Sequence, residues 1–217
     1  MARVLARLYA LRYPHYPTDH VMTETTYLSD PEGNGIEIYA DTPERGTWGV
    51  FNGTFGAKAA DGTLRSGRDP LDVESLLQLL TPEDRLDLPM AEATKMGHIH
   101  LHVADLEGAL SFYHGVLGLD TMTLLTEGGA AFVSAGGYHH HIGLNTWIGQ
   151  GAPPPPPGAL GLHSFTIVVP DPSELDRIDS RVAEAGLVFD RTESGIFVRD
   201  PSQNAVWLTH RPESAAP

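Results

Sequence analysis

The sequence predicts an α+β protein built from repeated modules of one strand, one helix and three further strands. Two internal repeats, and the periodicity of apolar residues within them, carry this prediction. In the first repeat, residues 27–38 (YLSDPEGNGIEI) match residues 197–208 (FVRDPSQNAVWL) at a constant offset of 170, without a gap. Each copy has an apolar pair, an Asp-Pro-x-x-Asn turn and a second apolar run, which is the pattern of two antiparallel strands joined by a tight loop.

The same offset extends this repeat to the start of the sequence. Apolar residues recur at helical spacing over residues 2–12, and the offset places them on residues 172–182, in a helix that Pro172 opens. Residues 1–40 therefore duplicate residues 171–210.

The first copy lacks the strand that opens a complete module, because residues 161–170 map by this offset to positions before Met1. A module without a partner cannot bury its apolar face. We therefore expect residues 1–40 to be a partial βαβββ module of an N-terminally truncated protein. The alternative is a divergent accessory arm.

The second repeat relates residues 97–105 (GHIHLHVAD) to residues 162–171 (LHSFTIVVPD). Each is an alternating strand that runs into an aspartate and then an amphipathic helix, the first of them over residues 106–117. The sequence thus predicts two complete modules and a stiff polyproline linker between them: residues 96–147, residues 161–210 and the linker at residues 151–158.

These segments define the predicted domain organisation. The two complete modules form one domain, residues 96–217. Residues 41–95, with one helix expected over residues 71–80, connect this domain to the partial module.

Composition excludes several classes of function. A net charge of −14 repels phosphate backbones and anionic membrane surfaces, so we expect no nucleic-acid partner and no membrane partner. The chain has no cysteine, which excludes disulfides, thiolate metal sites and a cysteine nucleophile. No run of about 18 apolar residues and no signal peptide is visible. We expect a soluble protein of the cytoplasm.

Histidine is the unusual residue, with eleven in the chain. His98, His100 and His102 alternate along one predicted strand and so project to one face, and His139, His140 and His141 are consecutive. Histidine is the side chain that both titrates near neutrality and binds transition metals readily, so its clustering predicts a metal or acid–base site.

Two stretches carry a resemblance to a known family. Residues 97–119 (GHIHLHVADLxxAxxFYxxVLGL) resemble the vicinal oxygen chelate superfamily, which unites glyoxalases, bleomycin resistance proteins and extradiol dioxygenases. Residues 138–147 (YHHHIGLNTW) and 30–39 (DPEGNGIEIY) are similar to bacterial catechol 2,3-dioxygenases of the two-domain, four-module type. The resemblance implies paired modules that form a cupped, mixed and antiparallel sheet around a metal.

The resemblance also implies metal ligands, namely histidines from opening strands and a glutamate from a closing strand. His98, seven positions before Asp105, matches the histidine, and Glu37 matches the glutamate. Ser164 and Trp207 stand at the corresponding positions of the last module and depart from the pattern. Fe(II) or Mn(II) is the implied metal.

The remaining site residues follow from the same resemblance. The family's ring-cleaving enzymes carry an acid–base histidine in the strand around residues 139–141, where alternation sets His140 on one face and its two neighbours on the other. Three consecutive histidines leave open which one faces the cavity, and we assign the catalytic role to His140 and His141. The residues expected to contact substrate are His20, His100, His102, His139 and His163.

The predicted function is therefore a metal-dependent extradiol dioxygenase that cleaves a catechol-like aromatic with dioxygen. Two alternatives stay open: a glyoxalase-type lyase or isomerase, and a metal-free, bleomycin-resistance-like binding protein or inactive relative. Because an incomplete module leaves a strand edge and a sheet face open, we also predict a homodimer.

Overall fold

A computed structural model describes residues 1–210, and the chain divides into two compact units, Met1–Lys95 and Met96–Pro217. The predicted second domain also extended to residue 217. Its residues 211–217 lie outside the described part of the chain.

Unit 1 (Met1–Lys95) holds a four-stranded sheet of order β3-β2-β1-β7 and a three-stranded sheet of order β4-β5-β6. All pairings in both sheets are antiparallel, and β3 is an edge strand of the first. The elements are α1 (Ala2–Ala10), β1 (Tyr16–Asp19), β2 (Thr23–Ser29), β3 (Gly35–Asp41), a 3₁₀ turn (Pro43–Arg45), β4 (Gly46–Phe51), β5 (Thr54–Ala59), β6 (Leu64–Arg65), β7 (Asp69–Pro70) and α2 (Val73–Leu77).

Residues 41–95 contain more regular structure than the sequence reading expected. Asn52 and Gly53 join β4 to β5 with φ of 53° and 79°, the left-handed pair that a tight hairpin turn needs. The sequence reading overlooked this Asn-Gly signal. The helix expected over residues 71–80 has only about one and a half turns. It begins after Asp72, which caps it by accepting the Ser75 N–H at 3.1 Å, and it ends at Leu77.

Unit 2 (Met96–Pro217) holds two four-stranded sheets of orders β8-β11-β10-β9 and β12-β15-β14-β13. In each sheet the opening strand pairs in parallel with the last strand, and the other pairings are antiparallel. This confirms the predicted α+β fold of βαβββ modules. The elements are β8 (Ile99–His102), α3 (Leu106–Leu110), a π-helical stretch (Ser111–Val116), β9 (Asp120–Leu125), β10 (Ala130–Ser134), β11 (Ile142–Asn145), β12 (Phe165–Val169), α4 (Pro172–Glu184), β13 (Phe189–Thr192), β14 (Gly195–Arg199) and β15 (Ala205–His210).

An aspartate begins the helix of each complete module, as the sequence predicts. Asp105 accepts the Gly108 N–H at 2.6 Å, and Asp171 accepts the Glu174 N–H at 2.9 Å. Gly186, with φ of +67°, follows the end of α4. No helix among residues 1–210 combines the length and the apolar character needed to cross a membrane.

The two modules of unit 2 share one apolar core, to which both sheets and both helices contribute. Polar contacts join the modules as well. The Arg181 guanidinium donates to the carbonyls of Val116 and Leu117 at 2.7 and 3.2 Å. The buried Tyr113 hydroxyl donates to Asp200 at 2.9 Å.

The repeat at offset 170 is visible as two turns with the same hydrogen bonds. Asn34 donates its backbone N–H and its side-chain amide to the Asp30 carboxylate, both at 2.8 Å. Asn204 donates to Asp200 in the same way, again at 2.8 Å for both bonds. The Asp-Pro-x-x-Asn pattern therefore specifies this turn in both units.

Candidate functional site

Three histidines of unit 2 meet in one cluster. His98, His100 and His140 each offer a ring nitrogen, and these atoms all lie within 4.8 Å of one another. His98 immediately precedes β8, His100 lies in β8, and His140 lies in the loop between β10 and β11. Because β8 and β11 are parallel neighbours, the loop that leads into β11 reaches the beginning of β8; the Ile99 N–H donates to the carbonyl of His141 at 3.0 Å.

Strand alternation explains why β8 presents histidines on one face. Leu101 is 3% exposed and belongs to the core, and Ile99 packs against that core. His100 and His102, on the opposite face, are exposed. The predicted common face is therefore confirmed for His100 and His102, while His98 precedes the strand.

His140 is the deepest member of the cluster, at 3% exposed. Its ring centroid lies 4.3 Å from that of His98 and 4.9 Å from that of Phe132. Its Nδ1 lies 2.8 Å from Nδ1 of His139, so one of these two rings donates to the other. Burial lowers the pKa of His140, and the neighbouring imidazoles, His98 first, lower it further.

The donor set of this cluster fits a transition-metal cation. Its three imidazole nitrogens lie within 4.8 Å of one another, and imidazole nitrogen is a common ligand of transition metals. Imidazole suits iron, zinc, copper and nickel, whereas manganese favours oxygen ligands. His98, His100 and His140 are thus the residues that could hold a metal.

The other predicted histidines of unit 2 have different surroundings. His102 donates from Nδ1 to Asn145 Oδ1 at 2.7 Å. Nδ1 of His141 accepts the Ala135 N–H at 3.3 Å and lies 2.8 Å from the Ser134 hydroxyl. His163 is exposed and precedes β12.

Residues 139–141 lie in the loop before β11 and not in a strand, so the expected alternation of their faces is wrong. The physical reason is that the Gly136-Gly137 pair, with φ of 66° and 76°, turns the chain after β10. Pairing with β10 begins again at Ile142.

Unit 1 holds a separate polar network around His20, which is 4% exposed. His20 donates from Nδ1 to the Gly67 carbonyl at 2.5 Å, and its Nε2 lies 2.7 Å from the Tyr27 hydroxyl. Tyr27 faces Glu37 across the β2–β3 pair and is hydrogen-bonded to it. Thr25 donates to Glu37 Oε1 at 3.4 Å. The single proton of Tyr27 therefore has two acceptors, the imidazole and the carboxylate.

The electrostatics of this network favour neutral groups. Desolvation by burial is the main cause that lowers the pKa of His20, against the opposing effect of the Gly67 carbonyl and of Glu37. Desolvation also raises the pKa of Tyr27, and the nearby Glu37 raises it further. Tyr27 is thus a proton donor in this network.

A tight turn after β1 holds His20 in place. Val21 has φ of +71°, a left-handed conformation that a β-branched residue adopts only when its surroundings enforce it. Asp19 accepts the Val21 N–H at 2.7 Å and is itself held by Arg45 at 2.6 Å, and Thr42 donates to the Val21 carbonyl at 2.9 Å.

The predicted metal ligands His98 and Glu37 belong to different units, and each has polar neighbours of its own. The sequence reading missed His100 and His140 as partners of His98, and it missed Tyr27. The signal for Tyr27 was its position opposite Glu37 in the predicted hairpin. For His140 the residue types gave no such signal, because its approach to His98 depends on the parallel pairing of β8 with β11.

Comparisons with known proteins complete the description. The sequence model of the Glyoxalase/Bleomycin resistance protein/Dioxygenase superfamily matches residues 95–208. The catechol-2,3-dioxygenase of Bacillus subtilis (strain 168) is 46% identical over 187 residues, which are 86% of this chain and 62% of that protein. The chain therefore spans less than two thirds of this relative.

Among solved structures, a glyoxalase/dioxygenase from Nostoc punctiforme has a TM-score of 0.46 at 19% identity, over 58% of this chain and 97% of that one. The lactoylglutathione lyase from Agrobacterium tumefaciens has a TM-score of 0.41 at 24% identity, over 55% of this chain and 96% of that one.

Proposed function

We propose that this chain catalyses the metal-dependent extradiol cleavage of a catechol-like aromatic. The chain belongs to the Glyoxalase/Bleomycin resistance protein/Dioxygenase superfamily. The observation that carries this proposal is the convergence of three imidazoles within 4.8 Å in the unit that the family model matches. The 46% identity to a catechol-2,3-dioxygenase supports the substrate class. Both oxygen atoms of dioxygen enter the product of such a reaction, so no external reductant is required.

The proposed metal ligands are His98, His100 and His140. This assignment moves His100 and His140 from the substrate-contact and catalytic roles that the sequence reading gave them. Of the two expected metals, a set of three imidazoles favours Fe(II) over Mn(II). When bound, the cation would supply Lewis acidity and a redox centre for the oxygen chemistry.

The residues beside the metal ligands have roles of their own in the proposal. Asn145 fixes the ring of His102 through Nδ1–H, which leaves the Nε2 lone pair to accept a proton from a catechol hydroxyl. His139 and His141 stay predictions as substrate-contact and acid–base residues, and so does the exposed His163.

In unit 1, the shared proton of Tyr27 supports a role in proton handling for His20 and Glu37. This proposal replaces the substrate contact expected of His20 and the metal ligation expected of Glu37. The homodimer and the cytoplasmic location also stay predictions. The position of β3 at the edge of its sheet supports the former, and a sequence without cysteine is consistent with the latter.

The metal site and the activity are tested together in the full chain. The protein is loaded with Fe(II) without oxygen, its iron content is measured by mass spectrometry, and catechol is then added in air. We expect about one iron per chain and a yellow ring-cleaved product. His98→Ala, His100→Ala and His140→Ala should each weaken iron binding more than about 100-fold, since loss of a supporting residue alone costs about 10- to 100-fold.

His114→Ala is the matched control, because His114 is an exposed histidine of the same unit outside the cluster. Iron binding without a ring-cleaved product would contradict the dioxygenase proposal and favour the lyase or isomerase alternative. In that case we expect the chain to bind zinc or nickel in place of iron. A chain that binds no first-row metal would favour the metal-free binding protein.

A further inference from the structure

Gly143 lies directly beside His100 in the parallel β8–β11 pair. A Cβ atom built on Gly143 would lie 2.4 Å from Nδ1, 2.6 Å from Cε1 and 3.2 Å from Cγ of the His100 ring. The imidazole therefore occupies the space that any side chain at position 143 would need. Only glycine permits this ring position.

Phe132 is the neighbour of the same glycine on its other side. Gly143 pairs with Phe132 of β10 as it pairs with His100 of β8, so the two aromatic rings flank one strand. Strands separated by a third strand are roughly 9.5 Å apart, at about 4.7–4.9 Å for each step. The ring centroids of His100 and Phe132 are nevertheless only 6.2 Å apart, because the His100 ring leans over Gly143.

This inclination brings the His100 ring close to the other two histidines of the cluster. Its ring centroid lies 5.1 Å from that of His98 and 5.3 Å from that of His140, whose loop leads directly into β11. A ring pushed off β11 would turn away from that loop. The set of three nitrogens would then lose one member.

We propose that Gly143 is a positioning residue whose missing side chain lets the His100 imidazole lie across β11 and join His98 and His140 in one cation site. This inference rests on the metal site of the proposed function. The surroundings of other strand glycines differ. At Gly195 and Gly56 the nearest atoms to an added Cβ are backbone carbonyl oxygens, of Leu208 and Arg65, so those glycines serve the fold.

The test is Gly143→Ala in the full chain, titrated with Zn²⁺ and with Co²⁺. We expect Zn²⁺ affinity to fall about 10- to 100-fold, as for loss of a residue that orients a ligand. The visible spectrum of the Co²⁺ form should also change, because one imidazole leaves the coordination sphere. Gly115→Ala is the control, since an added Cβ there meets no atom within 4 Å, and it should leave both readouts unchanged.

A double-mutant cycle separates positioning from a general loss of structure. In the His100→Ala background, Gly143→Ala should cause no further loss of Zn²⁺ affinity, because the ring it displaces is absent. A full additional loss in that background would overturn the proposal.

Ring position is also measured without metal. Nuclear Overhauser contacts between the rings of His100 and Phe132 should be present in the apo protein and lost in Gly143→Ala. Contacts that persist in the variant would show that Gly143 does not position the ring. If the unmodified chain bound no metal, the proposed metal site would fail, while this measurement would still decide the role of Gly143.

Discussion

The β2–β3 hairpin of unit 1 and the β14–β15 hairpin of unit 2 are related by the offset of 170, yet one cross-strand pair differs in chemistry between them. In unit 1, Tyr27 faces Glu37 and is hydrogen-bonded to it. In unit 2, Phe197 faces Trp207 in the same register, with ring centroids 4.8 Å apart. The turn between the strands has kept its hydrogen bonds, whereas the pair it brings together has changed from a polar to an aromatic contact. Turn geometry and site chemistry are therefore specified by different residues of one hairpin.

The two turns also differ in their surroundings. Asp200 is 1% exposed and accepts a hydrogen bond from Tyr113 in addition to those of its own turn. Asp30 makes the turn bonds near the surface. The same turn is therefore a local feature in unit 1 and a link between modules in unit 2.

The largest effect that tests this comparison should come from Asp200→Ala. The substitution leaves the buried Tyr113 hydroxyl and the half-buried Asn204 amide groups without their acceptor. We expect it to destabilise unit 2 by about 3 kcal/mol or more. Urea unfolding followed by far-UV circular dichroism measures this change.

Asp30→Ala removes the same turn bonds in unit 1 and should cost markedly less, because water can replace the lost acceptor. Tyr113→Phe should cost about 1 kcal/mol, since it removes a single hydrogen bond. Equal losses for the two aspartates would show that the turn has the same role in both units.

A smaller effect is expected from moving the polar pair of unit 1 into unit 2. Trp207→Glu removes the contact with Phe197 and should destabilise unit 2 by about 2 kcal/mol. Adding Phe197→Tyr should restore about 1 kcal/mol through a new phenol–carboxylate hydrogen bond. Urea unfolding of the two single variants and the double variant gives this coupling.

Phe197→Tyr alone is the control and should be nearly neutral, because Trp207 offers its hydroxyl no acceptor. If the double variant were no more stable than Trp207→Glu, the hairpin backbone of unit 2 would not support the polar pair, and the two hairpins would differ in more than side chains.

The fold was predictable wherever short-range chemistry decides it. Asp105 and Asp171 cap their helices, and the aspartates of the repeated turns bind their asparagines, through contacts within four residues. The β4–β5 hairpin was equally local, and its Asn52-Gly53 signal was present in the sequence.

The site was less predictable because it depends on strand order and ring direction. That His140 meets His98 follows from the parallel pairing of β8 with β11, which the residue types of either strand do not reveal. That His100 joins them depends on the glycine opposite it, 43 positions along the chain (143 − 100). The clustering of histidines in the sequence indicated a metal or acid–base site. Which histidines come together depends on how the strands pair in the folded chain.

The smallest expected effect concerns His20. Unit 2 has no histidine at the equivalent position, because the offset of 170 maps residue 20 to Asp190, an exposed residue of β13. Burial lowers the pKa of His20 below its ordinary value of 6.5; the Gly67 carbonyl, Glu37 and Asp19 oppose this shift, and Arg68 adds to it. As the pH falls below 6.5, the unfolded chain binds a proton at His20 before the folded chain does. The stability that the neutral ring provides is therefore complete above that pH and is lost below it.

Between about pH 7 and about pH 5, we expect the free energy of unfolding of unit 1 to fall by roughly 1 kcal/mol more than that of its His20→Gln variant. This is within the limit of about 1.4 kcal/mol for each pH unit and each proton. Trp48, whose ring centroid lies 5.1 Å from that of His20, reports unfolding of this unit by fluorescence when Trp147 and Trp207 are replaced by phenylalanine. Parallel pH profiles for the two proteins would mean that His20 carries its proton equally in the folded and unfolded chain. The polar network of unit 1 would then hold a charged imidazole, with the Tyr27 hydroxyl committed to Glu37 and no longer shared between two acceptors.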